Sequence, residues 1–157
     1  SKVDIHAAGL AKGQGLIKLL EQELNNQIGL DSTQSSLMQN CDMTSLALTD
    51  SLQSAEQVSI KLVSLRLQNE ATQPDSLEYL FLDSYAYSQG GGAELFDAVQ
   101  EAEQGFLIYT KPIFFKDSPC LQPQDLNAMA SDGTYTPDSL WGMWSVRLSV
   151  KELVQDL

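Results

Sequence analysis

The chain has 157 residues, of which 43% are hydrophobic and 19% are charged. These proportions favour one folded domain with its own core, spanning residues 1–157, over a disordered segment or a pair of domains. Nine Lys and Arg residues against 21 Asp and Glu residues give a formal net charge of −12. Since nucleic acids and anionic membrane surfaces bind to basic surfaces, we expect neither as a partner.

The N-terminal part of the sequence predicts two helices. Hydrophobic residues recur every three or four positions from Leu10 to Ile28, so we expect a long amphipathic helix that ends at Gly29. A second helix is expected to begin at Asp31 or Ser32, because both residue types cap helix N-termini. The residues that share its inner face are Leu37, Cys41, Thr44 and Leu48. The thiol in this set is therefore expected to point into the core.

The middle of the chain predicts a strand, a turn and a helix. Alternation over residues 58–67 predicts a β-strand with a bulge or bend at residues 62–63. After a polar turn, Asp75 and Glu78 have the spacing of a capping box, which predicts that a helix begins there. The expected apolar positions of this helix are Leu77, Leu80, Phe81 and Tyr85. The three glycines at residues 90–92 are expected to end it.

The second half of the chain predicts antiparallel β-structure. We expect a turn at residues 103–105, a long loop over residues 116–140 and a further helix over residues 151–157. The predicted strands cover residues 94–100, 106–115 and 141–150. Helices followed by a meander of strands are typical of an α+β fold, with the helices packed on one face of an antiparallel sheet.

The residue types that catalysis and metal binding require are scarce. His6 is the single histidine, and it lies near the start of the sequence. Ser-His-Asp and Cys-His sites need an imidazole as the base, and zinc hydrolase sites need several ligands in a recognisable spacing. We therefore expect that the protein is not an enzyme, and we assign it no catalytic and no metal-binding residue.

The two cysteines, Cys41 and Cys120, are far apart in the sequence, so they form no CxxC motif. Two interpretations are compatible with these residues alone. The first is a pair of buried free thiols, which behave as small apolar groups. The second is a disulfide, which requires an oxidising compartment.

A motif with the order of a known family begins at Tyr109 and reads Tyr109-Thr-Lys-Pro112-Ile-Phe-Phe-Lys-Asp-Ser-Pro-Cys120-Leu-Gln. It resembles the signature Y-x-K-P-I … C-L-x-C-H-G of a bacterial c-type haem domain family, which has a PAS-like fold and is often described as a domain of unknown function. Residues 69–78 and 132–146 resemble two further motifs of that family, R-N-P-A-N-x-P-D-x-W-E and G-Y-x-x-G-D-x-x-G-x-x-S-V. The resemblance covers nearly the whole chain. It implies a PAS-like α+β fold, in which a long N-terminal helix and further helices pack on an antiparallel sheet.

The haem-attachment motif of that family is incomplete in this sequence. In family members, two thiolates form thioethers with the haem, and the histidine next to the second cysteine ligates the iron. Here the five positions read Cys120-Leu-Gln-Pro123-Gln124, so proline replaces the second cysteine and glutamine replaces the histidine. We therefore expect no covalent haem. Side chains or another ligand are expected to fill the volume, since an empty cavity lowers stability.

The resemblance also implies the position of a ligand pocket. Cys41 corresponds to a helix cysteine that faces the haem in family members, and Cys120 corresponds to the first attachment cysteine. The pocket residues that the resemblance implies are Cys41, Tyr109, Pro112, Cys120 and Trp144. If the pocket contracts without haem in an exported protein, the two sulfur atoms approach each other. The resemblance therefore implies a disulfide between Cys41 and Cys120.

The family contains exported haem proteins and extracytoplasmic sensor modules of signalling proteins. The resemblance therefore implies a periplasmic or otherwise extracytoplasmic domain that senses a small ligand or contacts a partner protein in signal transduction. Membrane helices are able to flank such a domain in a longer chain. The alternative is an electron-transfer or haem-sensing protein that holds haem non-covalently through the Cys41 thiolate. The first function needs no cofactor, whereas the second needs haem.

Overall fold

The computed structural model describes residues 1–28, 41–43, 46–67, 69–121, 123–133 and 135–157. These residues form five α-helices, four β-strands and two short 3-10 helices. The helices are α1 (Lys2–Ile28), α2 (Ala47–Glu56), α3 (Ser76–Gly90), α4 (Pro123–Asp132) and α5 (Val150–Gln155). The strands are β1 (Val58–Val63), β2 (Ala98–Glu101), β3 (Phe106–Phe114) and β4 (Leu140–Ser149). The 3-10 helices are η1 (Glu70–Thr72) and η2 (Phe115–Asp117).

The four strands form one antiparallel sheet in the order β1-β4-β3-β2. The two long strands β3 and β4 pair in its centre, with Leu107 opposite Leu148 and Tyr109 opposite Val146. The shorter strands β1 and β2 lie at the edges. The predicted α+β fold with a long N-terminal helix is therefore confirmed.

Alternate strand residues divide between two faces of the sheet, which we name after the helix that covers each one. The α1 face carries Tyr109 and Trp144, which belong to the main hydrophobic core together with buried residues of α1. The α3 face carries Val63 and Met143, which pack against Leu82 of α3. The prediction that the helices cover one face is thus wrong. The central strands bury side chains on both faces, and both faces need a cover.

Helix α1 confirms the predicted N-terminal helix, and its inner side approaches β3 closely at Gly13. A Cβ atom at this position would overlap the ring of Tyr109. The buried positions that follow along this side are Leu16, Ile17, Leu20 and Leu24. A glycine thus lets the helix backbone lie directly on an aromatic ring of the sheet, and aliphatic residues complete the contact.

Strand β1 is shorter than the alternation predicts, because it ends at Val63 and the chain turns over residues 65–66. The backbone N–H of Ser64 donates to the carbonyl oxygen of Thr72 in η1, 2.9 Å away, and its hydroxyl donates to the carbonyl oxygen of Trp141. The strand prediction for residues 64–67 and the bulge at residues 62–63 are therefore wrong. Backbone bonds to η1 replace the continued ladder.

Helix α3 begins with the predicted capping box. The Asp75 carboxylate accepts from the Glu78 N–H at 2.9 Å, and the Glu78 carboxylate accepts from the Asp75 N–H at 2.9 Å. The buried residues of this helix are Glu78 and Leu82, whereas Leu80 is 62% exposed. The predicted start is confirmed, but the apolar position at Leu80 points into solvent. The helix ends at Gly90, as predicted.

Two sequence predictions in the loops are wrong. Residues 123–132 form α4 where a loop is predicted, although Pro123 in its first turn and Gly133 after its end, at φ +69°, are typical of helix boundaries. Cys41 is not helical, because it adopts the left-handed region at φ +49°. The helix expected to begin at Asp31 or Ser32, with Leu37 and Thr44 on it, falls largely outside the described residues, as does the stop at Gly29.

The remaining elements agree closely with the sequence. The turn at residues 103–105 is present, with Gly105 at φ +86°, and β4 and α5 lie within one or two residues of their predicted bounds. Strand β2 is shorter than predicted and begins at Ala98. Among the described residues, no helix is both long and apolar enough to cross a membrane.

Candidate functional site

Cys41 and Cys120 are joined by a disulfide, and their Cα atoms are 5.5 Å apart. Both residues are buried, with exposed fractions of 1% and 8%. The bridge ties the segment before α2 to the segment after η2, and the backbone N–H of Cys120 donates to the Ser118 hydroxyl at 3.2 Å. This separation lies within the usual range for disulfides. Both sulfur atoms that the family resemblance assigns to haem are therefore bonded to each other.

The five residues expected around a pocket do not all lie together. Cys41, Cys120, Tyr109 and Trp144 belong to the same hydrophobic core. Pro112 lies on the α3 face instead, because side chains alternate along β3 and Tyr109 occupies the α1 face. Its place among the pocket residues is therefore corrected. It lies where β3 has no partner on the side of β2, and this suits a residue without an N–H.

Aromatic side chains pack against the cysteine region. Phe115 stacks on Tyr135, with ring centroids 4.8 Å apart, and the Arg66 guanidinium lies 4.5 Å from the centre of the Tyr135 ring. Phe115, Trp141 and Trp144 are buried in the same core as the disulfide. These contacts pack the core around the disulfide closely.

The residues present do not fit a covalently attached haem. Attachment needs two free thiols and an adjacent histidine, whereas the thiols form the disulfide and the sequence has Pro123 and Gln124 at the other positions. His6 lies on α1 near Glu101 of β2. It is far from Cys120 in the sequence, so it is not the adjacent histidine that attachment needs. Among the described residues, no three histidine, cysteine or carboxylate side chains cluster as metal ligands.

Tyr109 is held as a neutral hydrogen-bond donor. Its hydroxyl donates to Asp97 Oδ2 at 2.9 Å, and Gln14 Nε2 donates to the same oxygen at 2.9 Å. Burial raises the pKa of the Tyr109 hydroxyl, and the hydrogen bond and charge of Asp97 raise that pKa further. This arrangement ties α1 and the segment before β2 to β3. A phenol in this state suits a structural contact rather than proton transfer at neutral pH.

A second candidate site lies on the α3 face, where an open groove of about 460 Å³ is lined by polar side chains. We call it the charged groove. The strands β1 and β4 supply Ser59, Lys61, Ser145 and Arg147. The start of α3 and the turn before β3 supply Asp75, Glu78 and Glu103. The sequence signal for this site is that Lys61 and Arg147 interrupt otherwise apolar strands, and none of the predicted site residues lies in it.

Arg147 is at the centre of the charges in the groove. Its guanidinium pairs with Asp75 at 2.9 Å, with Glu103 at 2.8 Å and with Glu78 at 3.5 Å. The Lys61 ammonium pairs with Glu78 at 3.0 Å. Burial alone would raise the pKa of the Asp75 carboxyl, but the hydrogen bond from the Glu78 N–H and the charges of Arg147 and Lys61 outweigh it and lower that pKa.

Comparisons with known proteins bear on the family and on the fold. The model of a family described as Tll0287-like matches residues 10–149. The crystal structure of the cyanobacterial heme-protein Tll0287 is similar at 15% sequence identity with a TM-score of 0.58, over 90% of this chain and 94% of that chain. No curated protein matches. The resemblance to a haem-protein family and the PAS-like α+β fold that it implies are therefore confirmed.

Proposed function

The chain belongs to the Tll0287-like family, and from that relationship we propose that it is a member without covalent haem that acts as an extracytoplasmic ligand-sensing or interaction domain. One observation carries this proposal: the disulfide between Cys41 and Cys120 uses both thiols that haem attachment and haem ligation would need. A cysteine in a disulfide forms no thioether and offers no thiolate to iron.

The disulfide also supports the proposed compartment. Disulfides persist in the periplasm and outside the cell, whereas thiols are kept reduced in the cytosol. A periplasmic domain that carries no catalytic group is suited to detecting a ligand or partner and passing the signal on within a larger chain or complex. We assign it no enzymatic step, because its sequence offers a single histidine and that residue lies on α1.

The alternative function is non-covalent haem binding through Cys41, and it needs a different chemical state of this residue. It requires the Cys41 thiolate to be free, and the structure pairs this sulfur with Cys120. We therefore place the haem-free function first. The alternative predicts that haem binds once the disulfide is reduced and Cys41 is free, which the next experiment also tests.

The experiment is an absorption spectrum of the protein after export together with the cellular machinery that attaches haem c. The cyanobacterial heme-protein Tll0287, produced in parallel, is the positive control for haem incorporation. We expect a colourless protein without a Soret band, and no saturable Soret change when haem is added to it. A Soret band that survives denaturation would overturn the proposal, and saturable haem binding to the reduced protein that is lost in Cys41→Ser would establish the alternative.

A further inference from the structure

The charged groove is separate from the cysteine region, because it lies on the opposite face of the sheet. Its floor is made by two paired strands, in which Lys61 is opposite Ser145 and Ser59 is opposite Arg147. The disulfide belongs to the core on the α1 face. A floor of two paired strands holds side chains in fixed relative positions, which is a property of binding sites on rigid scaffolds.

Several polar groups in the groove have unused hydrogen-bonding capacity. Ser145 lines the groove and is only 2% exposed. The Lys61 ammonium has three N–H groups and donates one of them, to Glu78 Oε1 at 3.0 Å. The Lys61 side chain is 33% exposed and lines the groove, so its remaining N–H groups are available to a ligand.

The buried carboxylate of Glu78 adds an acceptor to this set. The residue is completely buried, and its Oε2 atom accepts no hydrogen bond from the described residues, with Arg147 Nη1 at the ion-pair distance of 3.5 Å. Its other oxygen accepts from both Lys61 and the Asp75 N–H. The groove therefore contains unused donors on its strand side and a carboxylate with an unused oxygen on its helix side.

The charges of the groove select the kind of ligand. Three carboxylates and two cations give a formal charge of −1. A simple anion would meet three like charges, whereas a simple amine would leave the remaining N–H groups of Lys61 without an acceptor. A molecule with one carboxylate and two cationic groups matches both sides and neutralises the site.

We propose that the charged groove binds a free cationic amino acid, with its carboxylate toward Lys61, Ser59 and Ser145 and its cationic groups toward the carboxylates of Glu78, Asp75 and Glu103. This inference rests on the proposed sensing function, and it names the class of ligand that is sensed. The groove of about 460 Å³ is within the size range of small-molecule sites, which is roughly 300–1,000 Å³.

The test is calorimetric titration of the oxidised protein with L-lysine and, separately, with cadaverine, which has the same two amines and no carboxylate. We expect saturable binding of L-lysine and at least about tenfold weaker binding of cadaverine. Lys61→Met is expected to weaken L-lysine binding by about tenfold or more. The control is Lys111→Met, because Lys111 forms a comparable ion pair with Glu21 on the α1 face, and its binding is expected to be unchanged.

Lys61 also pairs with a buried carboxylate, so a second variant keeps the test decisive if Lys61→Met does not fold. Ser145→Ala removes a hydroxyl from the floor of the groove and is expected to weaken L-lysine binding several-fold. No binding of L-lysine, equal binding of cadaverine, or unchanged binding by the folded variants would each overturn the inference. The haem-free assignment is judged by the absorption spectrum alone, so the two failures are distinguishable.

Discussion

At Gly13 the backbone of α1 rests on the ring of Tyr109, and this contact leaves no space for a methyl group. We predict that Gly13→Ala lowers the free energy of unfolding by about 1–3 kcal/mol, the usual effect of overpacking a core. Gly15 is the matched control, because it lies in the same helix with nothing within 4 Å of its Cβ position. Gly15→Ala is expected to raise the free energy of unfolding by about 0.5–1 kcal/mol in urea denaturation. Equal effects of the two changes would contradict the packing described at Gly13.

Asp75 combines an N-cap with an ion pair, and Asp75→Asn separates the two roles because asparagine caps helices equally well. We predict that this change lowers the free energy of unfolding at pH 7 by about 1 kcal/mol or less, since the carboxylate is partly exposed. The pKa of Asp75 is lowered in the folded protein, so its charge stabilises the fold above the ordinary pKa of 3.8. That contribution is lost as the pH falls through the lowered folded pKa.

Denaturation curves of wild-type protein and Asp75→Asn over a series of pH values measure this dependence. The difference between the two proteins is expected to be constant near neutral pH and to shrink as the pH approaches the acidic end of the series. A difference that grows on acidification would contradict the lowered pKa, because it would mean that the neutral form of Asp75 is the stabilising one.

At the scale of secondary-structure elements, α3 shows which of its apolar residues face the sheet. Leu82 packs against Val63 and Met143, whereas Leu80 is exposed. We predict that Leu82→Ala lowers the free energy of unfolding by about 2–5 kcal/mol. Leu80→Ala is expected to change it by no more than about 0.5 kcal/mol. Thermal or urea denaturation measures the two effects. A larger effect at Leu80 would mean that Leu80, rather than Leu82, faces the sheet.

The elements that the sequence predicts well are those in which local signals and tertiary packing agree. The capping box at Asp75, the glycine at residue 105 and the apolar stripe of α1 are local signals of this kind. Residues 64–67 alternate like a strand, but the Ser64 N–H bonds to η1, which no local pattern reveals. The orientation of Leu80 likewise depends on Glu78, a charged residue that is buried because Lys61 and Arg147 lie beneath it.

At the scale of the whole molecule, the two candidate sites differ in how far the sequence predicts them. The family resemblance points to Cys41 and Cys120, because the motif around Cys120 is local and ordered. The charged groove is built from two strands, a helix start and a turn that are far apart in the sequence. No short sequence motif contains these side chains. They come together only because β1 pairs with β4 in the folded protein.

The disulfide links parts of the chain 79 residues apart and therefore restricts the unfolded chain strongly. In the chain-entropy model a loop of this size stabilises the fold by roughly 4 kcal/mol. We predict that the double variant Cys41→Ser, Cys120→Ser has a free energy of unfolding lower than that of the oxidised wild type by up to about that amount. Urea denaturation of both proteins in the same buffer without reductant measures the difference. Wild-type protein with a chemical reductant is the control, and it is expected to lose a similar amount. Unchanged stability in both would show that the bridge contributes nothing.

The haem-free function depends on the disulfide between Cys41 and Cys120, and counting reactive thiols in the denatured, unreduced protein tests for this bond directly. The protein is exported to an oxidising compartment, purified without reductant, unfolded in guanidinium and titrated with a thiol reagent. We predict no reactive thiol per chain before reduction and two after it, because Cys41 and Cys120 are the only cysteines. Two reactive thiols before reduction would contradict the account, since both sulfur atoms would then be free to bind haem.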